Sequence, residues 1–195
     1  WALSMLGMKV QQTLRERALL ERTLINIADG MSILPEDARN YARTVQALPE
    51  RERQFLLPRA LLAGLHRFQS TNNIQDVATT IKVTCDTEAD RMETELTIVR
   101  YIAWAIPSIG FLGTVRGIGT ALGQAYQAVS GDIVGVTTSL GVAFNSTFVA
   151  LVVSILLMFV LHQLQLIQDR LVLDCQNYCD EKMLRHLQVP VRDVK

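Results

Sequence analysis

Charge is almost absent from the stretch between Tyr101 and Gln168, where Arg116 and Asp132 are the only charged residues if His is counted as neutral. The segments on either side are densely charged, although acids and bases balance at 19 each over the whole chain. A long uncharged stretch between charged flanks is typical of a membrane protein with soluble flanks. The balanced charge also argues against a nucleic-acid partner, because binding phosphates requires a basic face.

The apolar stretch divides into two predicted transmembrane helices, residues 101–128 and 133–164, each long enough to cross a bilayer with some tilt. The connection at residues 129–132 has no Lys or Arg, whereas Arg100 precedes the hairpin and Arg170 follows it. By the positive-inside rule, both ends of the hairpin are predicted to be cytoplasmic and the connecting turn periplasmic.

The flanks predict a cytoplasmic helical domain over residues 10–100 and a cytoplasmic C-terminal helix over residues 165–195. Residues 10–34 have the pattern of an amphipathic helix. No helix breaker occurs from Ile74 into the first span, which predicts a rigid helix extending beyond the bilayer. Residues 1–9 are apolar as far as Lys9, and we interpret them as the end of a truncated transmembrane helix rather than as a ragged soluble terminus. The predicted fold is all-α, an integral membrane helical protein whose long transmembrane hairpin extends into a cytoplasmic helical bundle.

Both predicted spans carry a stripe of mostly small residues at helical spacing, with a threonine near its middle. The stripes contain, in the first span, Pro107, Gly110, Thr114, Gly117, Ala121 and Gln124, and, in the second, Val136, Leu140, Ala143, Thr147, Ala150 and Ser154. Glycine costs about 1 kcal/mol relative to alanine in a soluble helix, but in a bilayer small residues let helix backbones approach closely. One threonine could simply bond to its own helix. Two helices that each place a threonine on such a stripe instead predict a narrow passage in which hydroxyls orient water or an ion.

These patterns define the candidate site. The predicted ion-pathway residues are Thr114, Thr147, Ala143, Ala150, Ser154 and Gly110, and the predicted helix-packing residues are Pro107, Gly113 and Gly117. Asn145 and Arg116 are possible polar support at membrane depth. A guanidinium near mid-span is costly unless it reaches the interface, pairs or faces water. For Arg116, packing against a neighbouring subunit and contact with an anionic group there are both open alternatives.

No Asp or Glu lies within either predicted span, so the chain alone offers no titratable site for a proton relay, and ion transfer would need an acid from a partner. The sequence contains no Ser-His-acid, HExxH, CxxC or phosphate-loop pattern, so neither an enzyme nor a cofactor is predicted. Cys175 and Cys179 are four residues apart, with His186 beyond them, but a metal site would need a fourth ligand and none is predicted. Three cysteines without framework spacing predict reduced thiols facing the cytoplasm.

Two stretches of the hairpin resemble one known family. Residues 107–118 read PSIGFLGTVRGI, which is similar to the second transmembrane helix of the MotA/TolQ/ExbB proton-channel family. Residues 141–151 read GVAFNSTFVAL, which is similar to the third helix of that family. The resemblance places Thr114 and Thr147 on the family's pore threonines and covers roughly residues 87–170.

The resemblance implies a homopentamer in the bacterial inner membrane that surrounds two copies of a single-span partner of the ExbD, TolR or MotB type. The partner's membrane Asp takes up the ion near the threonines, and ion flow turns the two components against each other. The ExbB/TolQ branch often has a Glu near the position of Val142 and a later proline near Ser154, and this chain has neither. Asn145 is a hypothetical substitute for the lost polarity.

The sequence therefore predicts the stator-like ion-channel subunit of a motor driven by an ion gradient, with protons moving along a threonine-lined pore to the partner's Asp. Two alternatives remain open at this point. One is a passive helical membrane scaffold that moves no ions. The other is a soluble helical bundle that buries the hairpin.

Overall fold

The structure is a computed structural model, and it describes residues 2–22, 24–25 and 32–189. The helices in this part of the chain are α1 (Ala2–Leu20), α2 (Ala38–Gln46), α3 (Glu50–Arg53), α4 (Leu56–Thr71), α5 (Ile74–Gly123), α6 (Ala125–Val129) and α7 (Val134–Lys182), followed by a 3₁₀ turn at Leu184–His186. An isolated parallel bridge pairs Ile33 with Leu187. The predicted all-α fold is confirmed. The chain divides into two compact units, the first made of residues up to Leu6 with 95–164 and the second of residues 7–94 with those from 165 onward.

The first unit contains the hairpin formed by the apolar parts of α5 and α7. In the most apolar stretch of each helix only 17% of the residues are buried, whereas the core helix of a soluble bundle would be mostly buried. Large side chains point outward along both helices, for example Trp104 at 72% and Phe148 at 66% exposure. Contact of so large an apolar surface with water would be unfavourable, whereas lipid chains can cover it. The hairpin is therefore that of a membrane helical protein, and the soluble-bundle alternative loses its support.

Helix α5 begins at Ile74 and runs without interruption to Gly123, as the absence of a breaker predicts. It ends five residues before the predicted limit of the first span at 128, because the helix breaks at Gln124 and a separate short helix, α6, follows. The Gln124 Oε1 accepts a hydrogen bond from the Ser139 hydroxyl at 3.3 Å. A polar side chain that bonds to the opposite helix thus marks the end of the long helix.

The turn between the two helices contains a glycine with a left-handed backbone, Gly131, whose φ is +100°. This conformation is open to glycine at no steric cost. Helix α7 begins at Val134, where the Asp132 carboxylate accepts the Val134 N–H at 3.1 Å and satisfies one of the unpaired donors of the first turn.

The second unit has a helical core centred on α4. Leu61, Leu65 and Phe68 of α4 are completely buried, and α2 packs on α4 through a buried apolar face. Gly64 is the point of closest approach, because a methyl group added there would lie 2.6 Å from the Met183 Cε. The unit therefore has a conventional hydrophobic core of its own.

The structure differs from the predicted amphipathic helix over residues 10–34, because α1 ends at Leu20. Beyond it the chain bends so that Ile25 enters the core of the second unit, where it is 2% exposed. The Leu24 N–H is donated to the Tyr178 hydroxyl at 2.9 Å instead of to a helical carbonyl. Tertiary burial outweighs local periodicity here. The C-terminal helix, predicted within residues 165–195, ends at Lys182. Of the predicted terminal segments, Trp1 and residues 190–195 lie outside the described residues.

Candidate functional site

The two central threonines of the stripes contact each other across the hairpin. A hydrogen bond joins the hydroxyls of Thr114 and Thr147, and both side chains are half-buried. Thr147 donates to the Gly110 carbonyl of the opposite helix at 2.8 Å. The Thr114 hydroxyl lies 3.3 Å from the Ala143 carbonyl and 3.4 Å from the Gly110 carbonyl. The structure therefore brings together the two residues that the sequence analysis singled out from separate helices.

The glycines beside this pair allow the helices to approach closely. A methyl group added at Gly110 would lie 2.6 Å from the Ala150 Cβ and 3.3 Å from the Thr147 Cα. At Gly117 the same group would contact the Ala143 side chain and lie 3.0 Å from the Ala143 Cα. Small residues on both helices thus interlock, as in other close membrane-helix pairs. Within the hairpin Gly110, Ala143 and Ala150 act as packing residues.

The other predicted packing glycine, Gly113, lies against a residue that the sequence analysis did not include in the site. A methyl group at Gly113 would lie 2.7 Å from the Ser146 hydroxyl oxygen. Ser146 donates to the Ala143 carbonyl at 2.7 Å, and the Thr114 hydroxyl lies 3.3 Å from the same oxygen. In the sequence, the feature that could have indicated Ser146 is its place beside Asn145, as one of two adjacent polar residues within the second predicted span. Only the structure shows that Ser146 faces α5.

A second polar contact closes the hairpin near Pro107. Proline has no N–H, so the carbonyl of Ala103, four residues earlier, lacks its usual helical donor. Ser154 of the opposite helix donates its hydroxyl to this carbonyl at 2.7 Å and is 8% exposed. A proline in one helix and a serine in the other therefore satisfy a single backbone group together.

Asn145 and Arg116 lie apart from these contacts. Both side chains are exposed in the hairpin, and Arg116 forms no ion pair with any residue that the structure describes. They share a face with neither threonine. Their polar groups are therefore available to lipid, water or another protein rather than to the threonine pair.

Carbonyl and hydroxyl oxygens dominate the chemistry of this site. Each threonine hydrogen has an acceptor inside the hairpin, while the hydroxyl oxygens retain lone pairs. Such a site can orient water or solvate a cation, but it has no group that gains or loses a proton near neutral pH. A carboxylate from elsewhere is required for proton transfer.

The cysteines of the second unit do not form a metal centre. Cys85, Cys175 and Cys179 are buried and free, and no metal-binding group of His, Cys, Asp or Glu occurs among the described residues. A hydrogen bond to Cys175, together with burial, raises the pKa of the Cys85 thiol. A hydrogen bond to Cys179 and burial raise the pKa of the Cys175 thiol, although its bond to Cys85 acts in the opposite direction. Both thiols therefore stay protonated and unreactive at neutral pH.

Comparison with known proteins identifies one family. The model of the MotA/TolQ/ExbB proton channel family matches residues 52–177. This range includes Thr114 and Thr147, whose bonded side chains we call the hydroxyl pair, and the small residues that pack beside them. No curated protein matched the chain. No solved structure matched it either.

Proposed function

Because the chain belongs to the MotA/TolQ/ExbB proton channel family, we propose that it forms the ion pathway of a motor driven by an ion gradient. The family consists of channel and motor subunits rather than enzymes, which confirms the expectation that the chain is not an enzyme. The observation that carries the proposal is the hydrogen-bonded pair of Thr114 and Thr147 in a hairpin whose two predicted spans, residues 101–128 and 133–164, contain no Asp or Glu.

In the proposed mechanism, five copies of the chain surround two copies of a single-span partner of the ExbD, TolR or MotB type, in the bacterial inner membrane. The partner's membrane Asp accepts the proton, and the threonine oxygens orient the proton or its water on the way. Movement of the protonated partner then converts the flow into mechanical work. The ends of the hairpin are cytoplasmic and its turn periplasmic in this proposal.

The contacts within the hairpin divide the candidate residues between two roles. Thr114 and Thr147 are half-buried and retain free lone pairs, which supports a place on the pathway. Ser154, Gly110, Ala143 and Ala150 are occupied by contacts between α5 and α7, which supports a role in holding the threonines in position. The pathway would thus follow the edge of the hydroxyl pair where it faces a partner, with the stripe itself closed by packing.

The test is proton flux into vesicles that contain the chain and its partner. Thr147→Val keeps the shape of the side chain and removes the hydroxyl, so we expect flux to fall about tenfold or more, the loss typical for a hydrogen bond to a charged group. Thr147→Ser keeps the hydroxyl and is the matched control, for which we expect near-normal flux. Normal flux in Thr147→Val, with an intact assembly, would contradict the proposed pathway.

A passive scaffold remains the alternative function. It predicts no flux in the vesicles for any variant, and the same assembly with and without an ion gradient. The exposed apolar surface of the hairpin is compatible with both functions, so flux through the wild-type complex is the observation that separates them.

A further inference from the structure

The second unit contains a half-open cavity of about 350 Å³ beside the C-terminal end of α1 and the short helix α3. Its walls carry both charged and apolar side chains. The lining residues are Arg15, Ala18, Leu19, Arg22, Arg51, Glu52 and Phe55. The volume is at the lower end of the range of small-molecule sites in proteins.

The charge of the lining is strongly positive. Three arginines and one glutamate give it a net charge of +2. Arg22 lies 3.8 Å from Glu52, with its side chain largely exposed. Arg15 and Arg51 form no ion pair or hydrogen bond with the residues that the structure describes. Two guanidinium groups therefore face a shared space with their donors unused by the protein.

The convergence of these arginines distinguishes the cavity from the rest of the second unit. Arg59 pairs with Glu88 at 2.6 Å and Arg67 with Asp76 at 3.6 Å, as expected for arginines that support the fold. Arg39 and Arg43 also lack an ion pair with the described residues, but they lie exposed on α2 and do not line this cavity. Around the cavity, by contrast, three guanidinium groups lie beside the apolar side chains of Leu19 and Phe55.

We propose that this cavity binds a phosphate-bearing anion. The guanidinium fork matches two phosphate oxygens at once, so arginine clusters are typical of phosphate recognition. Phe55 and the buried Leu19 offer an apolar surface for whatever the phosphate is attached to. The same chemistry is supplied by a soluble phosphate compound or by the headgroup of an acidic lipid. This site is independent of the ion pathway and would stand if the pathway were disproved.

Glu52 competes with the ligand in this arrangement. Its carboxylate is the negative group nearest to Arg22, and a bound phosphate would take over that guanidinium. Glu52→Gln removes the competing charge and should tighten binding. If the cavity is only a packing gap that binds no anion, Glu52→Gln should not change anion binding.

The experiment uses the whole chain with its partner in phosphatidylcholine nanodiscs. In one arm, inorganic pyrophosphate is titrated into the sample by calorimetry. In the other, phosphatidylglycerol is mixed into the nanodiscs and the lipid retained by the complex is counted by native mass spectrometry. The cavity variant is Arg15→Gln with Arg51→Gln, and the matched control is Arg39→Gln with Arg43→Gln, which removes the same charge elsewhere.

We expect binding at least about tenfold weaker in the cavity variant and near wild type in the control, since two charge-assisted contacts are lost. Selective loss in the pyrophosphate arm identifies a soluble phosphate ligand, and selective loss in the phosphatidylglycerol arm a lipid headgroup. If the cavity variant does not fold, as judged by its helical circular dichroism, tighter binding in Glu52→Gln supports the proposal and unchanged binding overturns it. No binding by the wild type in either arm, or equal loss in the control, also overturns it.

Discussion

Most hydroxyl-bearing residues in the helices of the hairpin bond to their own backbone. Thr120 donates to the Arg116 carbonyl at 3.0 Å and Thr138 to the Val134 carbonyl at 2.8 Å, in both cases four residues earlier. This arrangement costs little and orders nothing beyond its own helix. Thr147 differs, because its donor crosses to α5. The difference in partner, rather than the residue type, is what makes Thr147 a candidate for function.

The half-buried carboxyl of Glu16 gives the second unit a pH dependence at residue scale. Burial raises the pKa of Glu16 above its ordinary value of 4.5, and the Leu56 N–H bonded to its Oε2 at 3.3 Å opposes this only in part. The folded state therefore binds the proton more tightly than the unfolded state. The resulting stabilisation is fully present below pH 4.5 and is lost as the pH rises through the raised pKa.

We expect Glu16→Gln to flatten this dependence, because the amide oxygen still accepts the Leu56 N–H while the charge is removed. Relative to the variant, the wild type should lose stability between about pH 4.5 and neutral pH. The measurement is the unfolding midpoint as a function of pH, with the exposed Glu50→Gln as control. Equal slopes in wild type and Glu16→Gln would argue against a raised pKa.

At the scale of the helix, the glycines of α5 fall into two groups that the sequence does not distinguish. Gly117 contacts the backbone of α7, whereas a methyl group at Gly119 would meet nothing within 4 Å. Gly117→Ala should destabilise the hairpin by about 1–3 kcal/mol through overpacking. Gly119→Ala should be neutral or stabilise it by up to about 1 kcal/mol, because alanine is the better helix former.

The measurement is unfolding of the purified chain in mixed detergent micelles, with Gly119→Ala as the matched control. Because both variants add one methyl group to the same helix, they differ only in what that group meets. Equal stability of the two variants would mean that the close contact between α5 and α7 does not exist in the membrane.

The contact between Ser154 and the Ala103 carbonyl predicts an energetic coupling between two helices. Ser154→Ala should cost about 1–3 kcal/mol, since it leaves a buried acceptor unpaired. In a Pro107→Ala background, the restored N–H at position 107 can bond to the Ala103 carbonyl, so the same change should cost less. A double-mutant cycle should therefore give a coupling of about 0.5–2 kcal/mol.

The exposed Ser108→Ala serves as the control for this cycle, because it removes a serine hydroxyl from α5, beside Pro107, without removing the Ser154 contact. Its effect should be the same in both backgrounds. Additive effects for Ser154→Ala as well would show that proline and serine act independently.

The limits of prediction at this scale have a physical cause. Periodicity predicted two long helices and the faces that carry the threonines, since both depend on neighbours in sequence. It did not predict the break at Gln124 or the end of α1 at Leu20, because those depend on hydrogen bonds to Ser139 and Tyr178. Ser146 was missed from the site for the same reason.

At the scale of the whole molecule, the segregation of charge was sufficient to predict the membrane fold. Lipid excludes charged groups so strongly that an uncharged stretch of this length has few other solutions. The acid required by the proposed mechanism could not be predicted at a position in this chain, because neither predicted span contains Asp or Glu. The structure describes one copy, so the pentamer remains part of the proposal.

The proposed assembly predicts a specific dependence on the partner. We expect the chain, extracted in mild detergent, to give a native mass of five copies with two copies of a single-span protein. Replacing the membrane Asp of that protein with Asn should abolish proton flux in vesicles and leave the mass unchanged, because it removes the titratable group and not the interface. A complex that conducts protons without any partner would require another acid and would rule out this mechanism.

The hydroxyl pair described above also limits which ions can use the site. The hydrogens of Thr114 and Thr147 both have acceptors inside the hairpin, while the hydroxyl oxygens retain lone pairs. A site of this kind discriminates by sign: it can replace part of the hydration shell of a cation and has nothing to give chloride. Rejection of anions would then be a property of two alcohols and two backbone carbonyls, without any fixed charge.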